Sequence, residues 1–171
     1  MPRYVAFLRG VSPTNLKMQD LRSALEHAGF DEVRTVLSSG NAVFNCDEQA
    51  GVALAQRVEL AIARRVGRVF PVMLRSAEAL AALLRSDPYA PYGLPAHAKR
   101  VVTFLKTPMP SRLPLPLTEG AATVIHQIGA EVFTAYIPGP DGPVFMKLIQ
   151  RAYGTEVTTR TWDTVARCAR A

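Results

Sequence analysis

Short apolar runs alternate with segments that carry a helical apolar stripe in the N-terminal half of the chain. The runs are bounded by turn residues, which is typical of β-strands, whereas apolar side chains recur every three or four residues in the stripes. The predicted strands cover residues 4–8, 33–37, 42–46 and 69–74. The predicted helices cover residues 18–28 and 52–66, and Gly29 and Gly67 are expected to end them. This order of strand, helix, strand, strand, helix and strand predicts a ferredoxin-like βαββαβ unit with an antiparallel sheet.

The C-terminal half predicts a second, smaller α+β unit. Ser76 can cap a helix, a strand is expected at residues 100–106, and a hairpin and a helix follow. Trp162 begins the apolar stripe of a last helix, so we expect its side chain to be largely buried. We therefore predict an α+β fold in which a unit of residues 1–75 and a unit of residues 76–171 pack together as one compact protein.

Composition indicates a globular protein with an excess of positive charge. Of the 171 residues, 49% are hydrophobic and 20% are charged, a balance that supports a folded core rather than disorder. The formal net charge is +6, which is typical either of a protein with many surface arginines or of one with an anionic partner. No run of consecutive lysines and arginines forms a basic tail, and this weakens the case for nucleic acid.

Cysteine and histidine spacing gives no support for a metal or a cofactor. Cys46 and Cys168 lie outside any CxxC motif, so free thiols are expected rather than a disulfide or a zinc site. The histidines are scattered, and no Walker, GxSxG or dinucleotide fingerprint is present. No apolar run approaches the roughly 20 residues that span a bilayer, and no signal-peptide core precedes the first strand. We therefore expect a cytoplasmic protein without a membrane, metal or cofactor partner, and its oligomeric state stays open.

Two polar, turn-forming segments are the best candidate site. Residues 9–17 follow the first predicted strand and residues 38–41 connect the second to the third, so the predicted topology brings both to one end of the sheet. The first helix begins there, and the N–H groups and dipole of a helix N-terminus favour anions. The candidate ligands of a phosphate or carboxylate are Arg9, Ser12, Lys17, Ser38, Ser39 and Asn41.

Turn chemistry is the competing interpretation of the same residues. Gly40 or Asn41 would supply a left-handed backbone conformation, and the serines would satisfy backbone groups. Asn15 would cap the first helix. In that case the two segments shape the chain and hold no ligand.

A second candidate lies near the C-terminus, at residues 158–164. A capping Thr161 and a buried Trp162 explain most of this segment structurally. Arg160 has no such explanation, and we expect it to pair with a carboxylate or with a ligand.

Several motifs in combination resemble one bacterial family. They are YVAFLRGV at residues 4–11, KMQDL at 17–21, GF at 29–30, SSGNAVF at 38–44 and TTRTWDTV at 158–165. Together they resemble the family called domain of unknown function 1697, over nearly the whole chain. The resemblance implies an α+β fold with a ferredoxin-like N-terminal unit, and it implies no established catalytic activity. Many members have a glycine-rich loop where this chain has Ser12 to Asn15, so a phosphate cradle of glycine amides does not carry over.

The function expected from the sequence is a binding module for an anionic ligand. One alternative is an enzyme that acts on a phosphorylated or carboxylated small molecule, with Arg9, Lys17 and Asn41 orienting the substrate. The other alternative is weak nucleic-acid binding. A closed pocket would favour the enzyme, and an open, continuous basic face would favour the nucleic-acid protein.

Overall fold

The chain forms an α+β structure with antiparallel sheets. The computed structural model describes residues 1–140, 142 and 144–171. The described chain divides into two units, of which the first is Met1–Leu83 with Thr164–Ala171 and the second is Leu84–Asp163. Across the described residues, no helix combines the length and the hydropathy that a membrane crossing requires.

The first unit is built on a four-stranded sheet. Its elements are, in chain order, β1 (Arg3–Leu8), α1 (Met18–His27), β2 (Asp31–Thr35), β3 (Asn41–Asn45), α2 (Val52–Val66), β4 (Val72–Ser76) and the first residues of α3 (Ala77–Ser86). The strands lie in the order β2, β3, β1, β4, and all neighbours pair antiparallel. The predicted order of elements is therefore present, and β1 and β3 occupy the centre of the sheet.

Both helices of the first unit pack on one face of this sheet. Alternate residues of β1, namely Tyr4, Ala6 and Leu8, belong to a single apolar cluster that includes buried side chains of both α1 and α2. The helix residues in the cluster are Leu21, Ala24 and Leu25 of α1 and Leu54, Val58 and Ile62 of α2. Each fully buried Leu, Val or Ile contributes about 1.5–3 kcal/mol. The helical stripes read from the sequence are thus the faces that cover the sheet.

Three predicted helix boundaries are confirmed. Gly29 follows α1 and Gly67 caps α2, with φ of +83° and +72°, a left-handed conformation that glycine adopts without strain. Ser76 caps α3, because its Oγ accepts a hydrogen bond of 3.1 Å from the Ala79 N–H.

β4 begins later than the pattern of apolar residues predicts. The strand starts at Val72 rather than at residue 69, directly after Pro71, which has no N–H for a strand ladder. The carbonyl of Pro71 instead accepts a hydrogen bond of 2.9 Å from the Arg9 N–H. Val69 is 65% exposed, so its apolar character does not reflect a strand buried in the sheet.

The second unit contains a five-stranded antiparallel sheet. Its elements are a 3-10 helix (Ala90–Tyr92), β5 (Lys99–Leu105), β6 (Leu117–Glu119), β7 (Ala122–Ile128), β8 (Glu131–Tyr136), α4 (Val144–Tyr153), β9 (Val157–Thr161) and the start of α5 (Trp162–Arg170). The strand order is β6, β7, β8, β5, β9. The helix α4 buries Leu148, Ile149 and Ala152 in one cluster with Val101 of β5 and Val132 of β8.

The strand β9 is not predicted by the sequence pattern, which indicates only the approach to a helix cap at residues 158–161. Thr158 and Thr159 instead pair with β5, and the Oγ1 atoms of Thr159 and Thr103 are 2.9 Å apart. Threonine is β-branched and favours a strand when a partner strand is available. The tertiary pairing therefore decides the conformation of this segment.

Three aromatic rings of the second unit pack edge to face. The ring centroid of Trp162 lies 5.3 Å from that of Tyr89 and 6.3 Å from that of Phe133, with interplanar angles of 74° and 86°. Trp162 is intermediate in exposure rather than fully buried, unlike Tyr89 and Phe133. The Tyr89 hydroxyl donates a hydrogen bond of 2.5 Å to the Val101 carbonyl, and burial raises the pKa of Tyr89 well above its usual value.

We expect Trp162→Ala to destabilise the protein by about 3 kcal/mol, at the low end for large aromatic truncations because the ring is partly exposed. Chemical denaturation measures this loss. Tyr92→Ala is the matched control, since Tyr92 is 45% exposed, and it should change the free energy of unfolding by less than about 0.5 kcal/mol. Equal effects of the two substitutions would show that the aromatic cluster contributes nothing to stability.

A second prediction concerns Thr134 of β8, whose fully buried Oγ1 has no hydrogen-bond partner among the described residues. Thr134→Val removes this unsatisfied hydroxyl at nearly constant shape and should raise the free energy of unfolding by about 1 kcal/mol. Thr103→Val is the control, because Thr103 is equally buried but hydrogen-bonded to Thr159, and it should lower that free energy. A loss of stability in Thr134→Val would show that the Thr134 hydroxyl is hydrogen-bonded in the folded protein.

Candidate functional site

The two polar segments meet in the structure, as the predicted topology requires. The Leu8 N–H donates a hydrogen bond of 2.9 Å to the Gly40 carbonyl. Val11 packs so closely on Gly40 that a Cβ at residue 40 would lie 2.6 Å from Val11 Cγ2. Gly40 also has φ of +88°, so glycine is required here both for its backbone angle and for the close approach.

Asn41 is a structural residue of the β2–β3 hairpin. Its side chain is fully buried, and Nδ2 donates hydrogen bonds of 2.8 Å to the Val36 carbonyl and 2.9 Å to Ser39 Oγ. These bonds commit the amide nitrogen to closing the turn. Ser38 and Ser39 lie at the exposed tip, next to Leu37, whose φ is +59°.

Asn15 does not cap α1, contrary to the interpretation based on turn chemistry. Its Oδ1 accepts a hydrogen bond of 2.8 Å from the Ser12 N–H, and its Nδ2 donates one of 2.8 Å to the Gly10 carbonyl. The side chain therefore holds residues 10–15 in a compact loop. Lys17 occupies the N-cap position with extended backbone angles, and its side chain makes no capping hydrogen bond to α1 within the described chain.

A polar hollow of about 330 Å³ opens at this uncapped start of α1. We call it the α1 hollow, and its lining residues are Pro13, Thr14, Asn15, Leu16, Lys17, Asp20, Arg65 and Val66. Two cations and one carboxylate therefore face the same space. Arg65 Nη2 lies 4.0 Å from Asp20 Oδ1, and both side chains are more than 40% exposed, so the ion pair is weak and leaves Arg65 able to bind another anion.

Lys17 is a predicted site residue that lines the α1 hollow. Arg9 and Ser12 belong to the same loop without lining the hollow, and the Arg9 N–H is bonded to the Pro71 carbonyl just before β4. Arg68, which the topology also places at this end, has its guanidinium 5.1 Å from the ring centroid of Phe70. The topology thus locates the end of the sheet correctly but not the cations that share a concavity.

Arg65 is absent from the candidate residues that the sequence indicates, because its position in the apolar pattern places it elsewhere on the surface of α2. The available signal is its position in the last turn of α2, since that helix returns to the end where α1 begins. Arg65 lies shortly before the glycine that ends the helix, close enough for its long side chain to reach Asp20 in the first turn of α1.

Arg160 lies in the second unit, on β9, and is buried. Its Nη1 donates hydrogen bonds of 2.7 Å to Thr158 Oγ1 and 3.0 Å to the Thr159 carbonyl. These two bonds hold the guanidinium group against its own strand, an arrangement that the sequence does not reveal.

Thiols and possible metal ligands are the remaining candidate chemistry. Cys46 and Cys168 are both buried free thiols. In the part of the chain that the structure describes, no three His, Cys, Asp or Glu side chains are grouped as a metal ion would need.

The fold and site define an α+β protein of two units with a cation-lined polar hollow at a helix N-terminus. The sequence profile of a family described as "Protein of unknown function (DUF1697)" matches residues 1–133, so the chain belongs to this family. A similar solved structure is that of the conserved bacterial protein SP0830 from Streptococcus pneumoniae. That protein is 18% identical, with a TM-score of 0.70 over 99% of this chain and 97% of that chain, a likeness in fold. No curated protein matches the sequence.

Because Gly40 contacts Val11 closely, the energetic cost of a steric clash at residue 40 can be measured separately from the cost of its left-handed backbone. Gly40→Ala adds both a left-handed backbone penalty and a clash, whereas Gly10→Ala adds the backbone penalty alone. Gly10 has φ of +81°, and no described atom lies within 4 Å of the Cβ that alanine would add. We expect Gly40→Ala to cost about 1–3 kcal/mol more than Gly10→Ala, as overpacking does. Urea denaturation of both variants measures the difference, and equal costs would mean that the Val11 contact is easily relieved.

Proposed function

We propose that this protein binds an anionic ligand, with a phosphate or carboxylate group held in the α1 hollow. The observation that carries the proposal is the convergence of Lys17 and Arg65 on the uncapped N-terminus of α1. Backbone N–H groups at such a terminus point outward and favour negative charge, and two adjacent cations strengthen that preference.

The charges around the hollow support this proposal. Lys17 is exposed, and among the described residues its ammonium group has no hydrogen bond or ion pair. Asp20 opposes an incoming anion, but its carboxylate is offset by Arg65. A bound anion would therefore meet a net positive site in which both the backbone and the side chains donate.

We further propose that the first unit is ferredoxin-like. The element order βαββαβ, the central pair β1 and β3, and the packing of α1 and α2 on one face support this classification. We also propose a cytoplasmic location, because the two buried free thiols suit a reducing compartment.

Phosphate titration followed by amide NMR shifts, at constant ionic strength, tests the anion site. We expect saturable shifts at the amides of residues 18–20, and Lys17→Gln should weaken phosphate binding by about tenfold, as loss of a charge-assisted hydrogen bond does. Arg22→Gln is the matched control, since it removes the same charge from α1 at a residue that pairs with Glu26 at 2.8 Å. It should change the affinity by less than about twofold.

Asp20→Asn should change the phosphate affinity in the direction opposite to Lys17→Gln, because it removes the carboxylate that repels the anion and releases Arg65. Its phosphate affinity should rise. An absence of shifts at residues 18–20 would overturn the α1 hollow as the site. An equal loss of phosphate affinity in Lys17→Gln and Arg22→Gln would overturn it as well. Tighter binding of a single-stranded oligonucleotide than of phosphate, lost in the same variant, would favour the nucleic-acid alternative.

A further inference from the structure

A larger groove lies between α1 and α2, outside the α1 hollow. It has a volume of about 490 Å³, within the range of small-molecule sites. We call it the interhelical groove, and its lining residues are Ala24, His27, Ala28, Arg57, Leu60, Ala61, Arg64 and Arg65. Arg65 is shared with the α1 hollow, and the other residues are separate.

Small side chains create the groove. Ala24 and Ala28 on one side and Ala61 on the other end at Cβ, so the two helices leave space above their shared core. Leu60 also lines this space and is 50% exposed. It lies outside the core stripe of α2, whose buried residues include a leucine, a valine and an isoleucine. The floor of the groove is therefore apolar and incompletely covered.

The rim of the groove is cationic. Arg64 is exposed, and within the described part of the chain its guanidinium has no hydrogen bond or ion pair. The described residues that line the groove include no carboxylate. His27 donates from Nδ1 to the Ser23 carbonyl at 2.7 Å, because a carbonyl oxygen accepts, and this bond fixes the orientation of the ring on the rim.

Two cross-helix contacts bound the groove. At one end Arg57 Nη2 donates a hydrogen bond of 2.6 Å to the Ala28 carbonyl, while its guanidinium lies 4.3 Å from the Phe30 ring centroid and pairs with Glu48. At the other end Arg65 faces Asp20. The span from Arg57 to Arg65 along α2 corresponds to about 12 Å at roughly 1.5 Å per residue. This length suits a small molecule rather than a nucleic-acid strand.

We propose that the interhelical groove binds a small amphipathic anion, with the apolar body on Leu60 and the alanines and the acidic head group on Arg64. An apolar floor with a few placed polar groups is the usual composition of a small-molecule site. Arg64 supplies the charge-assisted hydrogen bonds to the head group, and burial of Leu60 by the ligand supplies the hydrophobic gain. This site shares Arg65 with the α1 hollow, but Arg64 and Leu60, which would hold the ligand, do not line that hollow.

Monomeric decanoate is the probe, titrated by NMR below its micelle concentration. We expect saturable shifts at the amides of residues 24–28 and 60–65. Arg64→Gln and Leu60→Asn should each weaken decanoate binding by about tenfold, the first through the lost head-group contact and the second through the lost apolar contact. Arg22→Gln should change the affinity by less than about twofold, because Arg22 does not line the groove.

Decyltrimethylammonium has the opposite charge and an apolar chain one methylene longer than that of decanoate. It should nevertheless bind at least about tenfold more weakly than decanoate. Equal binding of the two amphiphiles would overturn the proposed selection for negative charge. Equal weakening in Arg64→Gln and Arg22→Gln would overturn the assignment of Arg64. Binding to vesicles of anionic phospholipid without binding of monomeric decanoate would identify this face as a membrane-docking surface and refute the small-molecule site.

Discussion

The close approach of the β1–α1 loop to the β2–β3 turn is the constraint on which the candidate site depends. Gly40 allows it, since any side chain there would collide with Val11, and the Leu8 N–H to Gly40 carbonyl bond fixes the distance. The path of the loop from Arg9 onward follows from this contact. Asn15 then bonds to the loop backbone on both sides, and α1 begins at a defined point with Lys17 at its N-cap.

Two asparagines of the polar segments build this scaffold in the structure. Asn41 and Asn15 each use their amides on nearby groups, which is the usual role of asparagine in turns. Their polarity is thus explained without a ligand. Lys17 and Arg65 differ, because the contacts that hold the described loop and hairpin do not involve their side chains. A site at this end of the sheet depends on those two cations and on the backbone that the asparagines position.

In the helical layer too, some side chains hold the fold together while others remain exposed and could contact a ligand. Arg57 is held by Ala28, Phe30 and Glu48 and joins α1 to α2. One or two turns further along the same helix, Leu60 and Arg64 line the groove without taking part in those contacts. Because the alanines leave the space between the helices unfilled, an apolar floor and an exposed cation lie side by side. In both proposed sites, exposed cationic side chains lie beside groups whose hydrogen bonds hold the fold together.

The apolar periodicity of the sequence determined much of the first unit. It located all four strands and both main helices of this unit. It also predicted that residues 9–17 and 38–41 meet, since the order of elements restricts the topology of a small antiparallel sheet. The glycines that end α1 and α2 were also readable, because a left-handed residue at a helix end has few alternatives to glycine.

Only the tertiary structure decided which polar side chains share a space. Asn15 had the composition of a cap, but a local bond to the Ser12 N–H outcompeted the helix end. Residues 158–161 became a strand, because β5 offered an unpaired edge to a β-branched segment. Arg65 and Arg64 lie on flanks of α2 that periodicity marks simply as outside the core. Their neighbours across the helix pair depend on packing distances and side-chain reach, which a one-dimensional pattern does not contain.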